Sequence, residues 1–220
     1  MLKPKQVILA AEQYGIKVVM KILILIALTF LAATASAENI GWRDQNGDPI
    51  PNTDFMKTIN GFGGWLVVTP DQDWDKKWNT PAENIPHFKE AKEVHYGQEL
   101  TILIFFTNPK LDEKNKINIV CDIKVVRPDE TFSANTKDVS CANWEAQPGQ
   151  YKYSIQLAQT VIRYVGEKKD PPGIWRVIIN LKDINSGIEV PLQTEFHLVK
   201  SPHKSKPSGS KNATLGVKSN

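Results

Sequence analysis

Ten consecutive residues, Ile117 to Val126, set their side chains alternately on two faces. Ile117, Ile119, Cys121, Ile123 and Val125 share one face, while Asn118, Asp122 and Lys124 share the other. Only an extended chain with one buried side reads this way, because a helix would scatter the five apolar groups around its circumference. Cys121 therefore points inward. The same period returns in Trp175, Val177, Ile179 and Leu181 against Arg176, Asn180 and Lys182. It returns again in Ile188, Val190, Leu192, Phe196 and Leu198 against Glu189, Gln193, Glu195 and His197. Between these two runs, Lys182-Asp183-Ile184-Asn185-Ser186-Gly187 is a polar turn of the kind that joins antiparallel neighbours. Pro191 has no N–H for a ladder, which predicts an edge strand or a bulge there. Leu100 to Phe106 is apolar on both faces and suits a central strand. Weaker strands are expected near 64–69, 92–96, 130–135 and 151–165, the last with a bulge or break near Ala158. Seven or eight short strands with turns between them predict an all-β protein, an antiparallel β-sandwich.

One short helix is expected after Thr69. Thr69 is positioned to cap it and Pro70 suits its first turn. Asp71 and Asp73 then sit at the positive end of the helix dipole, and Lys76 and Lys77 at the negative end. Trp74 and Trp78 are four apart and share a face, and Asn79-Thr80-Pro81 ends the helix. Trp65 and Trp175 occupy strand positions and are expected in the core. Gly61-Phe62-Gly63-Gly64 precedes a strand and reads as a bend rather than a phosphate cradle.

The two ends differ from the body. Ile22 to Ala33 is an apolar run of twelve between Lys21 and the small residues Ala35 and Ala37, the pattern of a secretory signal peptide with an A-x-A cleavage site. Twelve helical residues span about 18 Å against a hydrocarbon core of roughly 30 Å, so no anchor is expected after cleavage. The mature chain would begin at Glu38, with Met20 the expected initiator. Residues 38–60 read as an N-terminal extension, 61–199 as the sandwich and 200–220 as a basic, disordered tail. The formal charge of +3 is a property of the ends: +3 over 1–37, +5 over 200–220, and −5 over 38–199 from 18 basic and 23 acidic residues. A nucleic-acid partner is therefore not expected. Export places Cys121 and Cys141 in an oxidising compartment, periplasmic or extracellular, where an even count reads as one disulfide. Closing a loop of about 20 residues stabilises by roughly 3 kcal/mol in the chain-entropy model.

Motifs for chemistry fail at their decisive positions. The four His residues, 87, 95, 197 and 203, form no metal spacing, and His197 faces outward on its strand. No nucleophile elbow, phosphate-binding loop or dinucleotide fingerprint is present. Asp71-Gln72-Asp73-Trp74-Asp75 begins like a calcium loop, but Lys76 stands where glycine is needed and Ala82 where glutamate is needed. Asp44-Gln45-Asn46-Gly47-Asp48 has turn chemistry, with a weak cation site as its other reading. No catalytic residue, metal or cofactor is expected, and the chain is read as not an enzyme. The candidate binding residues are Trp74 and Trp78 with Asp73, Asp75 and Lys77, an aromatic platform beside polar groups. The other reading of the two tryptophans is that their rings close one end of the sandwich.

Three stretches carry a family resemblance: Val94 to Ile102, Ile123 to Asp129, and Asp170-Pro171-Pro172-Gly173-Ile174-Trp175-Arg176-Val177. Their order over about residues 92–199 resembles immunoglobulin-like sandwich domains, in particular the macroglobulin-type domains of exported bacterial proteins. The block from Gly63 to Asp71, with Asp73-Trp74 and Lys77 to Pro81, is similar to a group of exported bacterial proteins. Cys141-Ala142-Asn143-Trp144 departs from the Cys-Gly-Glu-Gln thioester of large macroglobulins, so covalent trapping does not carry over. The resemblance implies an immunoglobulin-like fold and supplies no function by itself; the first reading of function is a non-enzymatic binding or assembly module of the bacterial envelope. Its partner would be an envelope protein met through a sheet edge or the Trp segment. The alternatives are a carbohydrate-binding protein that presents Trp74 and Trp78 to a glycan and, last because no nucleophile–base set is present, a hydrolase.

Overall fold

The computed structural model describes residues 41–44, 46–81, 86–147 and 154–200. The signal peptide expected at 1–37 lies outside them, as does the expected tail beyond Lys200. The described residues form ten strands and one helix: β1 (Met56–Ile59), β2 (Phe62–Thr69), α1 (Trp74–Trp78), β3 (Glu93–His95), β4 (Glu99–Thr107), β5 (Lys116–Val126), β6 (Phe132–Glu145), β7 (Ile155–Leu157), β8 (Ile162–Val165), β9 (Gly173–Asp183) and β10 (Ile188–Val199). One sheet runs β1-β2-β4, with β7 and β8 both paired to the far side of β4. The other runs β3-β10-β9-β5-β6. Every pairing is antiparallel except β3 with β10. The inner faces of the two sheets share one core, in which Leu66, Ile102, Ile104 and Phe106 meet Ile119, Ile179, Leu181 and Leu192. The fold is an all-β sandwich with one short helix.

The alternating runs become β5, β9 and β10, and Trp175 is fully buried. Pro191 sits where β10 is an edge, since β3 borders only His197 to Val199. Gln193 and His197 turn their N–H groups away from β9, to the carbonyls of Asp54 and Lys92. Pro191 shares that parity, so its ring costs no ladder bond, and the β9–β10 register runs unbroken. The break near Ala158 separates β7 from β8 and ties the two sheets together. Ala158 N–H donates to the Ile104 carbonyl, and Gln159 N–H donates to the Cys141 carbonyl. The Asp170–Val177 motif also has a packing role. Tyr96 and Tyr164 hydroxyls donate to the Asp170 carbonyl and carboxylate, and Trp175 Nε1 donates to the Pro171 carbonyl.

Three features differ from the sequence reading. β1 stands inside the expected extension, joined to β2 by Asn60 (φ 46°) and Gly61 (φ 88°). A two-residue turn with both φ positive matches strand twist, and Asn-Gly is its strongest signal. The strand expected near 130–135 runs on to Glu145, through register shifts and Asp138 at φ 51°. The helix starts at Trp74 rather than beside Thr69. Thr69 ends β2, and its hydroxyl accepts the N–H of Asp71 rather than capping the helix. Gly64 marks the close approach of the sheets, because a Cβ there would lie 3.0 Å from Leu192 and 3.2 Å from Leu181.

Cys121 and Cys141 form a disulfide between the adjacent strands β5 and β6, with Cα atoms 5.9 Å apart and both side chains fully buried. Cys121→Ala/Cys141→Ala is expected to lose about 3 kcal/mol in urea unfolding with an unchanged far-ultraviolet spectrum. Gly64→Val is expected to cost about 1–3 kcal/mol by overpacking the space between the sheets. A parental unfolding midpoint in either variant would refute the role given to that position.

Candidate functional site

β4 is buried along its whole length except at its first residue, Glu99. Its even positions, Leu100, Ile102, Ile104 and Phe106, belong to the core between the sheets. Leu103 and Phe105 face the other way and join Val67 of β2 in a second apolar cluster on the outer face of the sheet. An apolar outer face needs a cover, and the segments Pro70 to Pro81 and Pro86 to Ala91 supply one. Trp65, Trp74, Trp78 and Phe88 pack on this cluster while staying half-buried. Phe105 is the hub. Trp65 stacks on it with ring centroids 4.9 Å apart, Trp78 lies 5.1 Å away at 48°, and Phe88 lies 5.7 Å away. Trp42 abuts Trp65 edge-on at 6.4 Å and donates its indole N–H to the Lys57 carbonyl.

The cover is fixed by one buried carboxylate. Asp71 Oδ2 accepts from Lys77 Nζ at 2.6 Å and from the backbone N–H of Lys89 at 2.9 Å. It thereby ties α1 to the returning segment, which Ala91 N–H bonds to the Val68 carbonyl. Burial alone raises the Asp71 carboxyl pKa. The hydrogen bonds from Lys77 and Lys89 and the two lysine charges outweigh it and hold the pKa below the ordinary 3.8. The Asp71 hydrogen bond correspondingly holds the Lys77 ammonium above its ordinary 10.5. Asp71 thus contributes stability that is full above its ordinary value and is lost as pH falls through the depressed one. Lys77 contributes stability that is full below its ordinary value and is lost as pH rises through the raised one.

Of the five residues named from sequence, Trp74 and Trp78 reach the outer cluster, and Lys77 is half-buried and committed to Asp71. Asp73 and Asp75 are exposed; Asp73 also lies 3.5 Å from Lys77, and the Asp75 carbonyl accepts from Asn79. Asp71 was expected to face the helix dipole and instead makes the ion pair. Trp65 was expected in the core and instead joins the outer cluster. Phe88 and Phe105 were not singled out. The signal for all three was the run apolar on both faces at β4, which demands a second covering layer. The Asp44 turn closes on itself: Asp44 Oδ1 takes the N–H groups of Asn46 and Asp48, which hold its carboxyl below its ordinary value. Among the described residues no group of three or more His, Cys, Asp or Glu is placed to hold a metal ion. Among them, no helix is long and apolar enough to cross a membrane.

No protein-family model matches the chain, and no curated protein matches it. Solved structures resemble it weakly. A family 123 glycoside hydrolase from Clostridium perfringens is 11% identical over 63% of this chain, with a TM-score of 0.37. The alkylpurine DNA glycosylase AlkC of Pseudomonas fluorescens is 14% identical over 48% of it, with a TM-score of 0.29. This chain spans 27% of the length of each. The CARDB domain of the Pyrococcus furiosus PF1109 protein, in complex with di-metal ions, is 10% identical over 69% of this chain and all of its own length, at a TM-score of 0.31. One expectation is corrected here. The reading that the chain is not an enzyme is withdrawn: a glycoside hydrolase and a DNA glycosylase stand among the structures that weakly resemble it. Neither likeness makes this chain an enzyme, since a fold does not supply a function.

Asp71→Ala is expected to cost about 1–3 kcal/mol at pH 7, because it strands a part-buried N–H and an ammonium. The gap from the parent should narrow as pH falls below 3.8, where protonation weakens the same tie in the parent. Urea midpoints at pH 7 and pH 3 measure both, and a gap independent of pH would refute the staple.

Proposed function

We propose that the chain is an exported binding or assembly module of the bacterial envelope, immunoglobulin-like and of macroglobulin type, that meets a protein partner through its aromatic outer face. The observation that carries this reading is the half-open set of Trp65, Trp74, Trp78 and Phe88 around Phe105, held in place by the Asp71–Lys77 pair. Rigid aromatic rings with one face packed and one edge open lose little entropy on contact and dominate protein interfaces. The exposed Asp73, Asp75 and Lys76 give that patch a polar rim.

The compartment follows from two supports. A fully buried disulfide is characteristic of proteins that fold in an oxidising space. The apolar run Ile22 to Ala33 with Ala35 and Ala37 has the pattern of an export signal, which supports a mature chain in the periplasm or outside the cell. The domain reading is 1–37 as signal peptide, 61–199 as the sandwich and 200–220 as a basic tail. Five lysines from Lys200 onward favour anionic lipid or polymer at low ionic strength.

A photo-crosslinker placed at Lys76 in intact cells is expected to trap one reproducible protein, and Trp74→Ala/Trp78→Ala is expected to lose it. A polysaccharide pull-down run beside it separates the two ligand classes. Retention by the parent and loss by the double variant would replace the protein partner with a glycan.

A further inference from the structure

Among the described residues, β2 and β10 each have a stretch of edge with no neighbouring strand, and the two stretches lie on the same seam. β1 borders β2 only as far as Trp65, and β3 borders β10 only from His197. Two short bridges cross between these edges. In the first, the Phe55 carbonyl accepts from Leu66 of β2, and the Asp54 carbonyl accepts from Gln193 of β10. In the second, Ala91 N–H donates to Val68 of β2, and the Lys92 carbonyl accepts from His197 of β10. The bridges frame a window with Leu66 to Val68 on one side and Thr194 to Glu195 on the other. A cleft of about 170 Å³ fills it.

Strand parity decides what faces the cleft. Leu66 and Val68 both turn their backbone groups toward the seam, since one gives its N–H and the other its carbonyl to a bridge. The Leu66 carbonyl and Val68 N–H leave β2 on that same side. Gln193 and His197 do likewise on β10, so the N–H and carbonyl of Glu195, midway between them, also face the cleft. Among the described residues none of these four groups has a backbone partner. Donors and acceptors in line at strand spacing are what an extended peptide pairs with. Phe55, Leu66, Val68 and Ala91 give the cleft an apolar lining. Glu90 and Glu195 give it two exposed carboxylates with no ion pair among the described residues, against the single ammonium of Lys92.

We propose that this window is a docking slot for a short extended segment of a partner protein, with apolar side chains turned in and basic ones turned toward Glu90 and Glu195. It is a second contact for the partner-binding reading above, and it borders the outer cluster at Val67. The occupant's main chain bonds to the bare edges of β2 and β10, and alternate side chains supply selectivity.

Fluorescence anisotropy of the full chain with a labelled, blocked Val-Lys-Val-Lys-Val-Lys peptide at 150 mM salt tests the slot. Saturable binding is expected. A backbone N-methylated copy of the peptide should bind at least tenfold more weakly, and an alternating Val-Glu peptide should not bind. Glu195→Pro removes one seam-facing N–H at the parity that Pro191 already occupies, and is expected to weaken binding at least tenfold at the parental unfolding midpoint. Glu90→Gln/Glu195→Gln should weaken it a few-fold. Failure of the Val-Lys peptide to saturate, or equal binding of its N-methylated copy, overturns the proposal. Dimerisation in analytical ultracentrifugation that Glu195→Pro abolishes would also overturn it, by assigning the slot to a second copy. Capture at Lys76 depends on Trp74 and Trp78 and is expected to survive Glu195→Pro, so the two readings fail separately.

Discussion

A strand that is apolar on both faces imposes more architecture than any other element of this chain. β4 requires a second sheet against Leu100, Ile102, Ile104 and Phe106, and a separate cover against Leu103 and Phe105. The sheet β3-β10-β9-β5-β6 answers the first need. Another sheet does not meet the second: among the described residues between β2 and β3 the chain forms a five-residue helix and its connections. A cover so short cannot nucleate or hold a helix by propensity. It is held by bulky rings and a charge: Trp74, Trp78 and Phe88 supply area, and Asp71 supplies the tie. The candidate site follows from that arrangement. Four aromatic rings must cover what a third layer would have hidden, and they do so incompletely.

The carboxylates that organise this fold act on backbone more than on other side chains. Asp183 is almost fully buried; it accepts N–H groups from Lys110 and Asn185 and the hydroxyl of Ser186. It thereby joins the β9–β10 turn to the connection after β4. Asp71 does the same for the outer cover. A backbone donor, unlike a lysine, cannot swing away into water, so each such bond fixes a chain path as well as a charge. The ion pairs on the outer face of the second sheet, Arg176 with Glu130 and Lys182 with Asp122 and Asp138, are of another kind. The Lys182 pairs lie across neighbouring strands, Arg176 reaches the turn between β5 and β6, and all contribute modestly in water.

What the sequence disclosed depended on whether one face of an element was buried and the other wet. β5, β9 and β10 are half-buried and read directly, as did the inward aim of Cys121 and the break at Ala158. β6 is exposed along most of its length, so its Cys141 end gave no alternation to read. β1 is half-buried at all four residues and shows no period either; only its Asn60-Gly61 turn marks it. The outer cluster was harder for a different reason. Trp65 has the same local pattern as a core residue, and which sheet face it occupies depends on the pairing of Trp65 with Phe105, forty residues away. The partner of Asp71 was equally non-local: Lys89 lies beyond the helix that the nearby acids appeared to serve.

Strand edges show what the fold tolerates and what it leaves open. β6 carries register shifts, its Asp138 N–H is taken by the Asp122 carboxylate, and Gln159 covers the Cys141 carbonyl. Each is a device that spoils an edge as a template for another chain. β10 is blunted by Pro191, then crossed at Gln193 and His197. At Glu195, by contrast, the edge is straight, in register with β9 and free of proline or bulge, and the same holds for Leu66 to Val68 across the cleft. A sandwich that treats neighbouring lengths of edge so differently confines strand addition to a stretch of about three residues. That stretch is too short to recruit a sheet, yet it suffices to hold one extended segment in a fixed register.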